Sequence, residues 1–213
     1  MSESTLRESN YRGQELIDRL AELNIVVCGA GALGSNFIHE IMRQGAMNVT
    51  AIDDDRVEEH NISTQMYGPD HVGSLKTNAI VSVMWLLLKK VVMTCSHELI
   101  ERNIYQELHN ADLVIDTFDN AASRFLVGDY CYTNGTPCLH LGMSEDGNYG
   151  NVQWGKFIYK GEPTFRDPCD IGITRNLISI VVAMGCEAVM RWLADNRQDD
   201  MEFTLRDMRI TVK

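Results

Sequence analysis

The sequence predicts an α/β fold, a Rossmann-like and mostly parallel sheet with helices on both faces and an antiparallel portion at its C-terminal end. Three observations carry this. Short apolar runs rich in Val and Ile alternate with stretches of helical spacing through the first two thirds of the chain. The glycine-rich turn "GAGALG" joins the first apolar run to the helix after it. Beyond Gly142 the alternation gives way to a strand, a loop, one long helix and closing strand-like runs.

In chain order, the polar start is expected to stay flexible over residues 1–12, because it has nothing apolar to bury. "GQELIDRLAEL" has helical spacing and leads into the strand "NIVVCG". A helix from Ala32 to about Gly45 precedes the strand "NVTAID", and a polar loop then runs to Leu75. "KTNAIVSVMWLLLKK" is helical and feeds the strand "VVMTC". "ERNIYQELHN" is helical by spacing, "ADLVID" is a short buried strand, and Ala121–Asn134 is a helix before the strand "TPCLHLG". The second part continues with the strand "NYGNVQWGKFIY", a crossover loop over 158–173, a helix from Thr174 to Asp195 and one or two strands in "MEFTLRDMRITV". That last helix is apolar nearly all round, as a central or subunit-facing helix is, while Arg175, Glu187 and Arg191 interrupt it too often for a membrane span.

With 213 residues and no linker-like tract, the chain is expected to be a single domain. A net charge of −11 opposes binding to nucleic-acid phosphates or anionic lipid, so neither nucleic acid nor membrane is an expected partner. The start "MSESTLRESN" lacks the apolar core of a secretory signal, which points to the cytoplasm. Six cysteines show no C-x-x-C pair, so neither zinc nor a disulfide framework is expected. Cys28, Cys95, Cys138 and Cys186 lie in apolar elements, whereas Cys169 sits in the polar stretch "FRDPCDIG".

Gly29, Gly31 and Gly34 form G-x-G-x-x-G between a strand and a helix, where bare backbone N–H groups can meet phosphate oxygens. Asp53, at the end of the second strand, is placed to accept hydrogen bonds from ribose hydroxyls. A tight strand-to-helix turn beside a solvated acidic loop would carry the same residues without a ligand. A nicotinamide oxidoreductase satisfies the pattern to this point, but the chain shows no Y-x-x-x-K pair and no histidine set apart by its surroundings for hydride chemistry.

From Asp53 onward, "DDDRVEEHNISTQMYGPDHVGSLKTNA" and then "VIDTFDNAASRF" carry a more specific signal. Asp53, Asp55, Val57, Asn61, Gln65, Lys76, Asp116, Asp119, Asn120 and Arg124 follow in the order and spacing with which this chain resembles the ThiF/MoeB/HesA superfamily, to which ubiquitin-activating enzymes belong. The resemblance covers residues 13–195 and implies a homodimeric adenylyltransferase using ATP and Mg²⁺. Such enzymes let the C-terminal carboxylate of a ubiquitin-like or sulfur-carrier protein, with its Gly-Gly-type tail, attack the α-phosphate of ATP. The implied roles are ribose binding for Asp53, a point charge on the phosphates for Lys76, phosphate ordering for Asn61 and Gln65, and Mg²⁺ binding for Asp119. Asp55 and Asn120 border the same pocket; Asn120 with Asp119 also reads as a helix N-cap.

Three departures accompany the resemblance. Thr64 stands where the family has an arginine before Gln65, so Arg7, Arg12, Arg56 or a partner's arginine is expected to replace its charge. The family's leading R-Y-x-R-Q, which lends an arginine across the dimer, has no clear counterpart, and the paired zinc cysteines are absent. Cys169 lies near the position of the family's carrier-linked cysteine; a thiolate there would take the acyl group from AMP, and Arg166 would favour it while Asp167 and Asp170 oppose it. A weakened relative that binds nucleotide and a partner as a scaffold is the competing expectation.

Overall fold

The computed structural model describes residues 3–144, 146–157, 172 and 174–213. The described strands are β1 (Asn24–Cys28), β2 (Asn48–Ile52), β3 (Met93–Cys95), β4 (Leu113–Asp116), β5 (Cys138–Met143), β6 (Tyr149–Trp154), β7 (Met201–Thr204) and β8 (Arg209–Val212). They form one sheet in the order β3-β2-β1-β4-β5-β6-β7-β8. Neighbours from β3 through β5 are parallel, and those from β5 through β8 antiparallel. The expected mixture of a parallel body and an antiparallel end is what the chain adopts.

The burial patterns follow from this topology. Central β1 is buried after its first residue, as a parallel strand covered on both faces must be. Ile25 and Val27 pack into one core with the helices α2 (Gln14–Glu22), α3 (Ala32–Gln44), α4 (Lys76–Leu88) and α7 (Arg175–Asp195). Val26 and Cys28 point the other way, into a smaller core with α5 (Ile104–Leu108) and α6 (Ala121–Asn134). Antiparallel β6 instead alternates buried with half-buried residues. α7 has the length and apolarity of a membrane span, yet 61% of its most apolar window is buried inside the protein, as befits a core helix.

Helix ends are fixed by local chemistry. Thr174 accepts a hydrogen bond from the Leu177 N–H to start α7, and Asn196, in the left-handed region, ends it. Asn120 does the same at the start of α6 through the Ser123 N–H, and Gly135 closes that helix. Two expectations need correction. The start expected to be flexible carries a helix, α1 (Leu6–Arg12), tied down by ion pairs from Arg12 to Glu8 at 3.0 Å and to Glu187 of α7 at 2.8 Å. The helix expected over 101–110 shortens to α5, because the Asn103 side chain folds back to accept the Ile100 N–H and makes a turn of the preceding residues. The crossover loop expected over 158–173 lies, except for Gly172, outside the described residues.

Candidate functional site

The chain runs outward from β1 to β2 and β3, then returns to lay β4 on the other side of β1. Such a reversal leaves a crevice beyond the carboxyl ends of the two central strands, the usual ligand position in open α/β sheets. The turn after β1 and the loop after β4 face each other there.

The β1 turn is closely held. Gly29 has φ +96°, and a Cβ on it would stand 2.9 Å from Thr117 Oγ1. Its N–H donates to Ile52 O at 2.8 Å, and the Ala30 N–H donates to Asp53 Oδ2 at 2.7 Å. The Tyr67 hydroxyl donates to Ala30 O at 2.7 Å, while the Thr117 hydroxyl lies 2.9 Å from Cys28 O and 3.1 Å from Gly29 O. Gly34 lets α3 pack on this turn, since a Cβ there would stand 2.0 Å from Gly29 O. Gly31 differs: a Cβ there would meet nothing within 4 Å, and it caps α3 without any side-chain hydrogen bond. The space beside Gly31 at the start of α3 is therefore open, as an anion site at a helix N-terminus requires.

Asp53 is buried below this turn. Its carboxylate also accepts the Asp55 N–H at 2.9 Å. An ionised carboxylate offers about four acceptor positions, so capacity for two hydroxyls remains. Burial raises the Asp53 pKa, and the Lys76 charge with the two backbone donors opposes it. Lys76, buried at the start of α4, places Nζ 4.0 Å from Asp53 Oδ1 and 2.7 Å from Asp55 Oδ2. One lysine thus serves two carboxylates, and the pocket's inner wall is net negative.

The loop after β2 is laced to α3. Asn61 is buried, and its Oδ1 accepts the Glu58 N–H at 2.9 Å, so only its amide NH₂ remains for a ligand. Asn36 of α3 donates to Thr64 O at 2.9 Å, and the Ser35 hydroxyl accepts the Met66 N–H at 3.1 Å. Gln65 Oε1 is buried without a hydrogen-bond partner among the described residues. Rotating that amide would exchange its oxygen and NH₂ at this buried place.

On the β4 side, Asn120 spends its Oδ1 on the α6 cap, and Asp119 is exposed with no ion pair among the described residues. Beneath them Asp116, fully buried, binds Arg124 Nε at 2.9 Å and His140 Nδ1 at 2.7 Å. Burial alone would raise the Asp116 pKa, but Arg124 and His140 together hold it below the usual carboxylate range. Arg124 also donates to Leu141 O at 2.5 Å, and His140 Nε2 lies 2.9 Å from Gly155 O. This network supports the loop from behind.

Of the arginines expected to compensate for Thr64, Arg7 lies exposed on α1, and two others are engaged elsewhere. Arg12 is shared by Glu8 and Glu187, and Arg56 donates to Gly73 O at 2.7 Å. Cys169, with Arg166, Asp167 and Asp170, lies outside the described residues. The five described cysteines are free thiols; burial pushes Cys28 and Cys186 well up, and burial with the Glu107 carboxylate takes Cys95 up to about 12, so none of these three is a ready nucleophile. Tyr67, Thr117 and His140 were not singled out by sequence reasoning, because each acts across the fold on a partner far away in sequence. A cleft of about 750 Å³ along the outer side of α6 contains none of these groups, so position at the strand ends, not concavity, marks the site.

The chain is similar to known proteins over most of its length. The chain is 30% identical over 130 residues to the SAMP-activating enzyme E1 of Haloferax volcanii, covering 60% of this chain and 48% of that protein. It is 33% identical over 131 residues to the sulfur carrier protein adenylyltransferase of Thermus thermophilus, covering 60% of this chain and 48% of the relative. The chain thus spans about half the length of these curated relatives. Among solved structures, E. coli MccB with ATP shares the fold at a TM-score of 0.81 and 15% identity, over all of this chain and 71% of that one. The family model described as "ThiF family" matches residues 5–208. By the ordered residues of its strand-end crevice and by this match over nearly its whole length, the chain belongs to the ThiF family.

Proposed function

We propose that this protein binds ATP with Mg²⁺ in the crevice between β1 and β4 and adenylates the C-terminal carboxylate of a ubiquitin-like or sulfur-carrier protein, or of a peptide. The observation that carries the proposal is the buried Asp53 and Lys76 lying under the uncapped first turn of α3. The spare acceptor capacity of Asp53 suits ribose hydroxyls, and the open space beside Gly31 at the N-terminus of α3 suits phosphate oxygens. Asp119 offers a hard oxygen ligand at the mouth, which is the donor type Mg²⁺ takes alongside phosphate oxygens. Mg²⁺ bound there would neutralise phosphate charge.

In the reaction, a carboxylate oxygen of the tail bonds to the α-phosphorus and the bond from that phosphorus to the bridging oxygen breaks. Pyrophosphate carries away the electron pair, and an acyl-adenylate remains. Both reactants are anions, so alignment and cationic screening limit the rate more than proton transfer does. Lys76 is the buried cation aimed at this step. Its ion pair with Asp55 holds it in place in the free protein and has to yield as phosphate arrives. Acyl transfer to a cysteine would follow adenylation, with Cys169 as its bearer. A homodimer and a reducing, cytoplasmic setting belong to the same reading; the free thiols of the described cysteines are consistent with the latter.

ATP–pyrophosphate exchange with purified protein, Mg²⁺ and peptides or carriers ending in Gly-Gly tests the proposal. Exchange should require a tail, and Lys76→Ala should lower it roughly 10²–10³-fold, the usual effect of losing one electrostatic contact to a transition state. ATP retention without exchange for any tail would replace catalysis by a nucleotide-dependent scaffold, the role Thr64 favours. Failure to retain ATP would remove both.

A further inference from the structure

A multiply negative triphosphate entering this crevice meets Asp53, Asp55 and Asp119 but one buried lysine, itself paired to Asp55 at 2.7 Å. More positive charge is needed on the α3 side, where the first-turn N–H groups lie. Of the arginines named from the sequence as substitutes, Arg12 is held by two glutamates, Arg56 by a loop carbonyl, and Arg7 lies exposed on α1. Arg175 stands differently. It opens α7, is exposed, and makes no ion pair among the described residues. Its Nη2 lies 3.5 Å from Asn36 Oδ1, and the same Asn36 amide donates through Nδ2 to Ala32 O at 2.7 Å and Thr64 O at 2.9 Å. Asn36 follows Gly31 by five residues, so the guanidinium stands about 7.5 Å along the helix axis from the first turn of α3, a shift that its side chain has to make by changing rotamer. Arg175 is thus moored to the amide that ties the first turn of α3 to Thr64. It also lines a cleft of about 600 Å³ whose walls include Asn36 and Met66 together with Glu40 and Glu187.

We propose that Arg175 is the second phosphate-binding cation of this site: held in reserve by Asn36 in the free protein, it turns toward the terminal phosphates of ATP and supplies the charge that Thr64 does not. The inference rests on the nucleotide-binding reading above. A planar guanidinium can bind two phosphate oxygens at once, which suits it to this place better than a lysine. Asn36 is then a positioning residue, since it touches Arg175 and not the reacting atoms.

Equilibrium binding of ATP and AMP to the purified chain, each with Mg²⁺, at low and moderate salt tests it. Arg175→Ala should weaken ATP by roughly ten- to a hundredfold, the loss of one charge-assisted contact, and flatten its salt dependence, while AMP changes less than about twofold. Arg175→Lys should fall between, and adding Thr64→Arg to Arg175→Ala should restore ATP affinity. Equal weakening of ATP and AMP would make Arg175 a structural residue and overturn the inference, as would unchanged ATP binding. If the wild type retains ATP and Lys76→Ala weakens it, such a result counts against Arg175 alone. If the wild type retains no nucleotide, the site reading falls and this inference with it.

Discussion

Gly31 and Gly34, three residues apart in one motif, should fail in opposite ways when each is replaced by alanine. At Gly34 the new Cβ would stand 2.0 Å from Gly29 O and 2.7 Å from Thr117 Oγ1. Relief of that clash requires the Gly29 carbonyl to withdraw by roughly 1 Å or more, since carbon and oxygen do not rest much closer than ordinary contact. Overpacking of this kind costs about 1–3 kcal/mol, less up to about 1 kcal/mol returned by alanine's helix propensity. At about 2–4 °C per kcal/mol for a domain this size, Gly34→Ala should lower Tm by several degrees. The moved carbonyl carries the Ala30 and Thr117 contacts with it, and a displacement of about 1 Å in a site can cost about a hundredfold in function. At Gly31 the Cβ meets nothing within 4 Å and φ is −78°, so stability should stay within about 1 kcal/mol. Its methyl group would nevertheless fill the approach to the α3 N–H groups, and ATP affinity should fall at least about tenfold, one charge-assisted contact. Scanning calorimetry with ATP titration reads both. An unfolded Gly31→Ala protein, or a Gly34→Ala protein with wild-type Tm, would refute the division of labour.

Other perturbations have equally definite signs. Asp116 has a folded pKa held below its unfolded value of about 3.9, so its stabilisation is present above that value and lost as pH falls through the folded one. Asp116→Asn should cost about 3–5 kcal/mol at neutral pH and flatten the acid limb of the stability profile in urea titrations; an unchanged limb would mean that another carboxylate governs it. Asn120→Ala removes the α6 cap and should cost about 1 kcal/mol, visible as a Tm drop of about 2–4 °C. An unchanged Tm would show that capping is not what Asn120 does. Cys169→Ser should keep pyrophosphate exchange and abolish any carrier thioester on denaturing gels, and an undiminished thioester would acquit that cysteine.

The legible parts of this structure are those written in neighbouring residues. Strand runs such as "NIVVC" and "LVID", the glycine turn and the Asn120 cap depend on periods and contacts within a few positions, and each element they mark forms where expected. α1 was not legible, because what fixes it is an ion pair between Arg12 and Glu187, 175 positions away. The same holds inside the site. Asp53 and Lys76 stand together, but the Tyr67 and Thr117 hydroxyls reach the β1 turn, and the His140 ring comes in behind the β4 loop, only once the sheet has brought distant segments side by side. Arg175 escaped notice for that reason too: helix spacing placed it at the start of α7, and nothing in its neighbourhood of sequence points to Asn36.

The Thr117 hydroxyl bridges the ends of β1 and β4, where the Thr117 N–H also donates to Cys28 O at 2.9 Å. The two halves of the sheet are therefore stitched at the spot where a ligand must enter, and neither lip can part from the other alone. Amide hydrogens of Gly29 and Thr117 should exchange with solvent in a single cooperative event, at a rate unrelated to the faster opening of the outer loops.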